Sequence, residues 1–485
     1  ILPTDALGFH NTQNGTKENS SFFSSDTYET ADALLARVFY SYADTYMLTA
    51  SVRRDGYSAF GSSNPYATFP SAAVAWTFTN ENFFKWQDIM NFGKLRLSYG
   101  KNGNRSLSSP YLALANLSAG GGKMHGYLDM SNKEVLYKYL MIDRMANPNL
   151  QWEKTSSWNI GLDFGFINNR ISGSIEYYRM QTKDMIMTRR LPEFTGFSNI
   201  TTNLGQVDNN GIELMIQSVN MDRKNFRWTT SFALSYNKNQ IKHLYYDYVD
   251  GVEQDDETNG WFIGQPISAI WDYKVIGIWQ KDEVEEAAKY GQVPGDPKVA
   301  NIYTEDDIEG PNGAVTPVYN NKDKVILGQT TPPVHWSLRN EFTLWRDLTF
   351  SFNLYSYMGH KSMSTNYLNA DDKDGRLSNG MENIPKKEYW TVDNPTNEYA
   401  RIEAVGPVGA VTPGKIYDRS FIRLENLSVA YQLPQKWTSA INFDKIKVFG
   451  TVRNVAAWAF DWEYGDPETG DWAARTFTFG VNVTF

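Results

Sequence analysis

The closing stretch Arg475-Thr476-Phe477-Thr478-Phe479-Gly480-Val481-Asn482-Val483-Thr484-Phe485 decides how the chain folds. Phe477, Phe479, Val481, Val483 and Phe485 alternate with Thr476, Thr478, Gly480, Asn482 and Thr484, the period-two pattern of a strand with one apolar face and one small polar face. In a soluble sandwich the apolar face looks into a core; in a transmembrane barrel it looks out at lipid while the polar face lines the lumen. The segment is about as long as a tilted membrane-crossing strand, and it ends on an aromatic residue. A barrel must hydrogen-bond its last strand to its first. Phe477, Phe479 and Phe485 are therefore the residues expected at barrel closure.

Composition agrees with the second reading. Tyr, Phe and Trp make up 15% of 485 residues, high for a soluble protein, yet mean hydropathy is negative and no apolar run is long enough for a transmembrane helix. Alternation halves the apparent hydropathy of a barrel strand, so a barrel stays open. A net charge of -9 argues against a nucleic-acid surface, and the lack of cysteine excludes disulfides and thiolate metal sites. The opening Ile1-Leu2-Pro3-Thr4-Asp5 has no signal-peptide features, so the expectation is that a signal was removed or that the chain begins partway into a longer protein.

Residues 1–32 are polar and read as a loop. Alternating segments follow at Leu34 to Tyr42, Tyr46 to Asp55, Ser71 to Thr79, Lys94 to Gly100, Trp158 to Phe164, Ile171 to Met180, Gly211 to Gln217 and Phe226 to Tyr236. Trp336 to Leu344, Leu348 to Tyr357, Phe421 to Leu433, Ile446 to Val452 and the closing stretch bring the count to about thirteen. Their connections alternate between short ones, as at 43–45 and 167–170, and long ones near 101–154, 181–207, 242–333, 358–418 and 454–474. Short periplasmic turns and long external loops are the habit of an outer-membrane barrel. The strand-like Ala269 to Gln280 is assigned to an external loop, because a lone crossing there would place two long loops on opposite sides.

Several stretches, met in order, resemble the SusC/RagA family of TonB-dependent outer-membrane transporters. They are Arg37 to Gly56 (RVFYSYADTYMLTASVRRDG), Asn147 to Thr155 (NPNLQWEKT), Asn203 to Leu214 (NLGQVDNNGIEL), Tyr389-Trp390-Thr391 with Asn394-Pro395-Thr396, Phe421 to Leu427 (FIRLENL) and Asp466-Pro467-Glu468. The resemblance covers the C-terminal half of such a transporter. It implies an all-β transmembrane antiparallel barrel of 22 strands, about nine of them upstream together with a plug domain absent from this chain. It also implies multi-pass residence in the bacterial outer membrane, in contact with lipid and lipopolysaccharide. A SusD-like surface lipoprotein would cap the loops, TonB would act through the plug, and the transporter and lipoprotein would pair, with a dimer of such pairs one further arrangement. Residues 33–485 are then the C-terminal barrel portion. An odd strand count places residues 1–32 in an external loop at a chain break, with an upstream piece of the same barrel pairing along Leu34 to Tyr42 and the closing strand.

No enzyme constellation is present. His10, His125, His243, His335 and His360 are scattered, and Gly120-Gly121-Gly122-Lys123 lacks the first glycine and the Ser/Thr of a phosphate loop. The acidic Glu305-Asp306-Asp307-Ile308-Glu309-Gly310 is a candidate Ca²⁺ loop with irregular ligand spacing, which favours a plain solvated loop, so no cofactor or metal ligand is assigned. Between Tyr246 and Gly310 there are 16 Asp/Glu against 4 Lys, which calls for solvent, cations or a basic partner; Asp282 to Tyr290 there reads as a short helix. Loop aromatics Tyr57, Phe60, Tyr66, Trp261 and Trp279 are candidates for substrate or partner contact, with packing inside the loops the plainer expectation. Arg53, Arg54 and Asp55 are further contact candidates, with a charge ladder on the wall as the plainer reading.

The reading is energy-dependent import of oligosaccharides or oligopeptides by the barrel of such a transporter. A passive porin or adhesin barrel, and a secreted all-β carbohydrate-binding protein or hydrolase, are the alternatives. Trp76, Leu162, Leu214, Phe350 and Phe479 are expected toward lipid, and Arg53, Asp163, Glu213 and Asn482 toward the lumen.

Overall fold

The computed structural model describes residues 26–118, 124–128, 134–138, 141–310, 315–365, 387–407, 414–471 and 473–485. Among them the α-helices are two short ones, α1 (Val284–Lys289) and α2 (Gln435–Ser439). The dominant element is a sheet of 13 strands in sequential order. Its strands are β1 (Ala31–Tyr42), β2 (Tyr46–Tyr57), β3 (Tyr66–Trp76), β4 (Met90–Asn104), β5 (Glu153–Phe166), β6 (Ile171–Arg190) and β7 (Asn199–Arg223). Then follow β8 (Phe226–His243), β9 (Val334–Leu344), β10 (Leu348–Met358), β11 (Phe421–Gln432), β12 (Lys445–Ala459) and β13 (Thr476–Thr484). Each of the anticipated strands overlaps one of these, though the stretch Ser71 to Thr79 leaves β3 at Trp76 and enters a 3-10 turn at Phe78–Asn80. The strand-like residues near 270–278 pair instead with Lys324–Gln329 and Pro297–Val299, outside the large sheet.

Several strands are longer than the alternation predicts. β6 runs 20 residues and β7 runs 25, which leaves 191–198 as the connection between them rather than the expected 181–207. The apolar period stops where these strands leave the apolar zone, but backbone pairing continues on polar side chains, so the hydrophobic signal ends before the ladder does. Most of the expected loop at 1–32, and Gly120 to Lys123, lie outside the described residues.

By contact density the chain divides into two units, one of residues 1–164, 176–210 and 239–255, the other of 165–175, 211–238 and 256–485. In the first, antiparallel β1 to β4 place the 43–45 and 77–89 connections at one end and 58–65 and 105–152 at the other. In the second, the turns at 167–170, 224–225, 345–347 and 433–444 share one end, and the 256–333, 359–420 and 460–475 loops share the other. Tight turns at the first end use left-handed residues, such as Asn168 and Asn169 at φ 55° and 59°, which twist in the same sense as the paired strands.

Register sorts the side chains into rows. In the second unit Trp228, Phe342, Phe350, Val429, Gly450 and Phe479 face one another across six strands, while Thr229, Glu341, Ser351, Ser428, Thr451 and Thr478 form the next row on the opposite face. In the first, Tyr40, Leu48, Val74 and Leu97 make one apolar row and Tyr42, Tyr46, Trp76 and Leu95 the next. On the other face Ser51 and Ser71 hydroxyls meet at 2.7 Å, and Arg96 reaches Asp163 at 2.7 Å and Glu176 at 2.6 Å. Phe479 is 82% exposed and Val74 48% exposed, so no described layer covers the apolar rows. An uncovered apolar face of this extent suits hydrocarbon and not a sandwich core.

We expect Phe350→Arg, which sets a guanidinium on an apolar row, to cost about 2–4 kcal/mol in lipid vesicles, and Ser351→Arg in the adjacent polar row to cost far less. Urea titration of the refolded protein measures both; equal losses would mean that the faces are assigned wrongly.

Candidate functional site at the loop-bearing end

In the first unit the loop end is closed by an aromatic cluster. Tyr57, Phe60, Phe69, Leu150 and Trp152 are buried together, with the Phe60 and Trp152 rings 4.8 Å apart and Phe69 meeting Trp152 at 5.6 Å. The segment Asn147 to Trp152 is held by main-chain bonds, Gly61 N–H donating to Leu150 O at 2.8 Å and Ser63 N–H to Pro148 O at 3.1 Å. A Cβ on Gly61 would stand 2.1 Å from Pro148 O, so only glycine permits this approach. Asn203 fastens the far side: its Oδ1 accepts from Gln151 N at 2.7 Å and its Nδ2 donates to Gln151 O and Asp184 O. Asp208, 2% exposed, accepts from Gln206 at 2.7 Å and from Gln181, with Arg179 at 3.3 Å. Two of the six stretches that carry the family resemblance, Asn147 to Thr155 and Asn203 to Leu214, therefore meet in one lock.

In the second unit the long loops are held by buried carboxylates. Asp296, fully buried, accepts from Arg401 Nε at 2.8 Å, Val405 N at 3.1 Å and Val293 N at 2.9 Å. Asp323, also fully buried, accepts from the Ile302, Tyr303 and Asn320 N–H groups at 3.0 Å each. Trp390 packs with Ile278, Ala400 and Ala404, and its Nε1 donates to Gln280 at 3.1 Å. Gly295 sits at φ 94°, and a Cβ there would come within 2.5 Å of the Trp390 ring. A third lock joins Arg423, 4% exposed at its side chain, to Asp466 by bonds of 2.6 and 2.7 Å, with Glu468 N and Thr469 N completing the Asp466 shell. Burial pushes the Asp466 carboxyl up, but the Arg423 guanidinium and the two backbone donors outweigh it and hold the group below the usual carboxylate range.

The structure separates the candidate contact residues. Tyr57, which ends β2 rather than lying in a loop, and the loop residues Phe60 and Trp279 are buried and offer no open ring: Tyr57 donates to Glu29 at 2.5 Å, and Trp279 donates to Gln292 at 2.9 Å beneath Lys298. A loop aromatic reads the same in sequence whether it faces in or out, which is why these were candidates. Trp261 is partly buried and bridges backbone to backbone with Asp256, whereas Tyr66, the first residue of β3 rather than a loop residue, is 50% exposed under the Arg54 guanidinium. Arg53 pairs with Asp55 at 2.7 Å along one face of β2. Phe477, Phe479 and Phe485 lie on or beside β13, which with β1 forms the two edges of the sheet.

In the acidic stretch, Asp307 accepts from Val318 N and Asn301, Asp306 from Asn320 and Lys322, and Glu305 from Tyr303. Among the described residues no group of three or more His, Cys, Asp or Glu converges on a common point. α1 occupies the expected position, ended by Gly291 at φ 67°. Sequence reading overlooked Asp296 and Asp323. A single carboxylate in a loop announces burial only through the backbone donors that fold around it.

The family model described as TonB dependent receptor-like, beta-barrel matches residues 3–455. The chain is 28% identical to TonB-dependent receptor P3 of Formosa agariphila over 509 residues, covering 99% of this chain and 48% of that protein. It is 29% identical to TonB-dependent receptor SusC of Bacteroides thetaiotaomicron over 440 residues, covering 88% of this chain and 40% of that protein. The chain spans about half the length of the curated relatives it matches. Among solved structures, that of the RagAB peptide transporter matches with a TM-score of 0.74 and 22% identity, over 98% of this chain and 50% of that chain, a likeness of fold.

Two outcomes follow from the locks. Asp296→Ala leaves two backbone N–H groups and Arg401 without their acceptor, and we expect a loss of about 2–4 kcal/mol of local stability, read as faster amide exchange at 290–300 and 395–405 together. Asp466 has a depressed folded pKa, so its stabilisation is present above the ordinary aspartate value near ~4 and is lost as pH falls through the folded value. Amide exchange in 460–471 is expected to hold steady from neutral pH to about 4 and to rise below it after correction for intrinsic rates, with Asp466→Asn raised throughout.

Proposed function

We propose a transport function from a premise the comparisons establish: the chain belongs to the TonB dependent receptor-like β-barrel family. Its sheet forms part of the wall of an outer-membrane barrel that imports oligosaccharides or oligopeptides. TonB supplies inner-membrane energy through a plug, and a SusD-like surface lipoprotein seats on the external loops. The carrying observation is the contrast between the two ends. In each unit one end carries mostly short connections and the other carries long loops, stiffened by Asn203 in the first unit and by Asp296, Asp323 and the Arg423–Asp466 pair in the second. A passive pore has no need of loops so stiffened; a surface that must hold a lid in register does. TonB-dependent receptor SusC and the RagAB peptide transporter, each similar over most of this chain, support an importer driven through TonB, the second with peptide as cargo.

The polar face supports passage of hydrophilic cargo. Arg227, Thr229, Ser231, Arg339 and Glu341 line a hollow of about 420 Å³ in the second unit. No covalent step is assigned to the chain. The test is uptake of fluorescent oligosaccharides and oligopeptides by cells with and without the gene. Uptake of one class should require the gene, stop when the proton-motive force is collapsed, and stop when the surface lipoprotein that co-purifies with the barrel is deleted. Gene-dependent uptake that survives collapse of the force would establish the passive porin.

A further inference from the structure

We propose that the apolar face of β1 to β4 carries a site for one glycerophospholipid, an inference that rests on the barrel reading. This face holds a hollow of about 470 Å³ whose lining includes Tyr40, Tyr46, Leu48, Val74, Trp76 and Leu97. Leu48, Val74 and Leu97 lie in one register row, and Tyr46 and Trp76 in the next row toward the turn end. The surface is continuous with the rows that face hydrocarbon, so its occupant is an acyl chain rather than a protein segment.

The connection at 77–89 adjoins the hollow through Trp76 and Tyr46, two of its lining residues. The other described connection at this end of the unit is only 43–45, so a longer connection here is a particular feature. It packs the half-buried Phe78 against Phe84 with centroids 5.6 Å apart, and leaves Phe83, Trp86 and Ile89 exposed by 65%, 73% and 63%. Phe83 stands 6.2 Å from the Trp76 ring. Glu81 accepts from Trp76 Nε1 at 3.1 Å and from the Tyr46 hydroxyl, so one carboxylate fixes the polar tips of both rings while their bodies border the hollow. The connection is tied to the neighbouring turn by Thr77 N–H donating to Thr45 O at 2.8 Å. Lys85, between Phe84 and Trp86 in the chain, is exposed and adds a cation to this connection. A hydrocarbon hollow, rings that border it and a cation on the connection next to it match an acyl chain with its phosphate.

Native mass spectrometry of the detergent-extracted, delipidated protein titrated with phosphatidylglycerol or phosphatidylethanolamine tests the site. One tightly held lipid is expected. Val74→Trp, which fills the hollow, should weaken it about tenfold, and Leu97→Trp serves if that variant does not show the heat-modifiable migration of a folded barrel. Lys85→Glu should weaken phosphatidylglycerol more than phosphatidylethanolamine, and Val429→Trp, on the apolar face of the second unit, should change neither. Equal loss in Val74→Trp and Val429→Trp, or no discrete adduct in the parent, would leave only annular lipid and overturn the proposal. A protein that stays soluble without detergent and does not float with vesicles would instead overturn the barrel reading.

Discussion

The structure depends on one constraint: a backbone N–H or C=O that meets hydrocarbon must already be paired. A chain that exposes rows such as Trp228–Phe342–Phe350–Val429 to an apolar solvent can do so only in a sheet whose ladder satisfies every strand between its two ends. Strand length, the alternation of side chains and the placing of irregular backbone at the ends all follow from that demand. So does the placing of the long loops, which are free to be irregular only where water or protein can take up their polar groups.

At the loop-bearing end the solvent changes and so does the source of order. Here the backbone is held by side-chain acceptors rather than by a ladder. Asp323 alone receives three N–H groups, and Asn203 both accepts and donates across two segments. Between Tyr246 and Gly310, Glu253, Asp296 and Asp307 likewise accept backbone N–H groups, so part of the negative charge there is taken up by internal donors. Lys298 with Glu283 and Lys322 with Asp306 neutralise more of it, so the raw excess overstates the charge the surface offers to a partner.

The strands were legible because a half-apolar sheet writes its period into neighbouring residues, and Phe477 to Phe485 showed it most plainly. Their full length was not, since Asp208 and Asn209 extend β7 on polar side chains that carry no period. The motif residues were visible as a family resemblance, but their work was not. Leu150, Trp152, Trp390 and Asp466 turn out to fasten loops, and Tyr57, Phe60 and Trp279 to fill them. Long-range partners such as Arg401 for Asp296 are set by the path of two loops, and nothing local in either loop announces them.

The Arg423–Asp466 pair ties more than its two residues. Arg423 belongs to β11 and also donates to Asn454 of β12, whose side-chain amide donates in turn to Ala473 O just ahead of β13. Neither charge can be desolvated before the other arrives, and the arrival of Asp466 requires β12 to be in place between them. The last three strands thus assemble cooperatively, and a chain cut short before Asp466 would forfeit the closing hairpin as a whole rather than one strand of it.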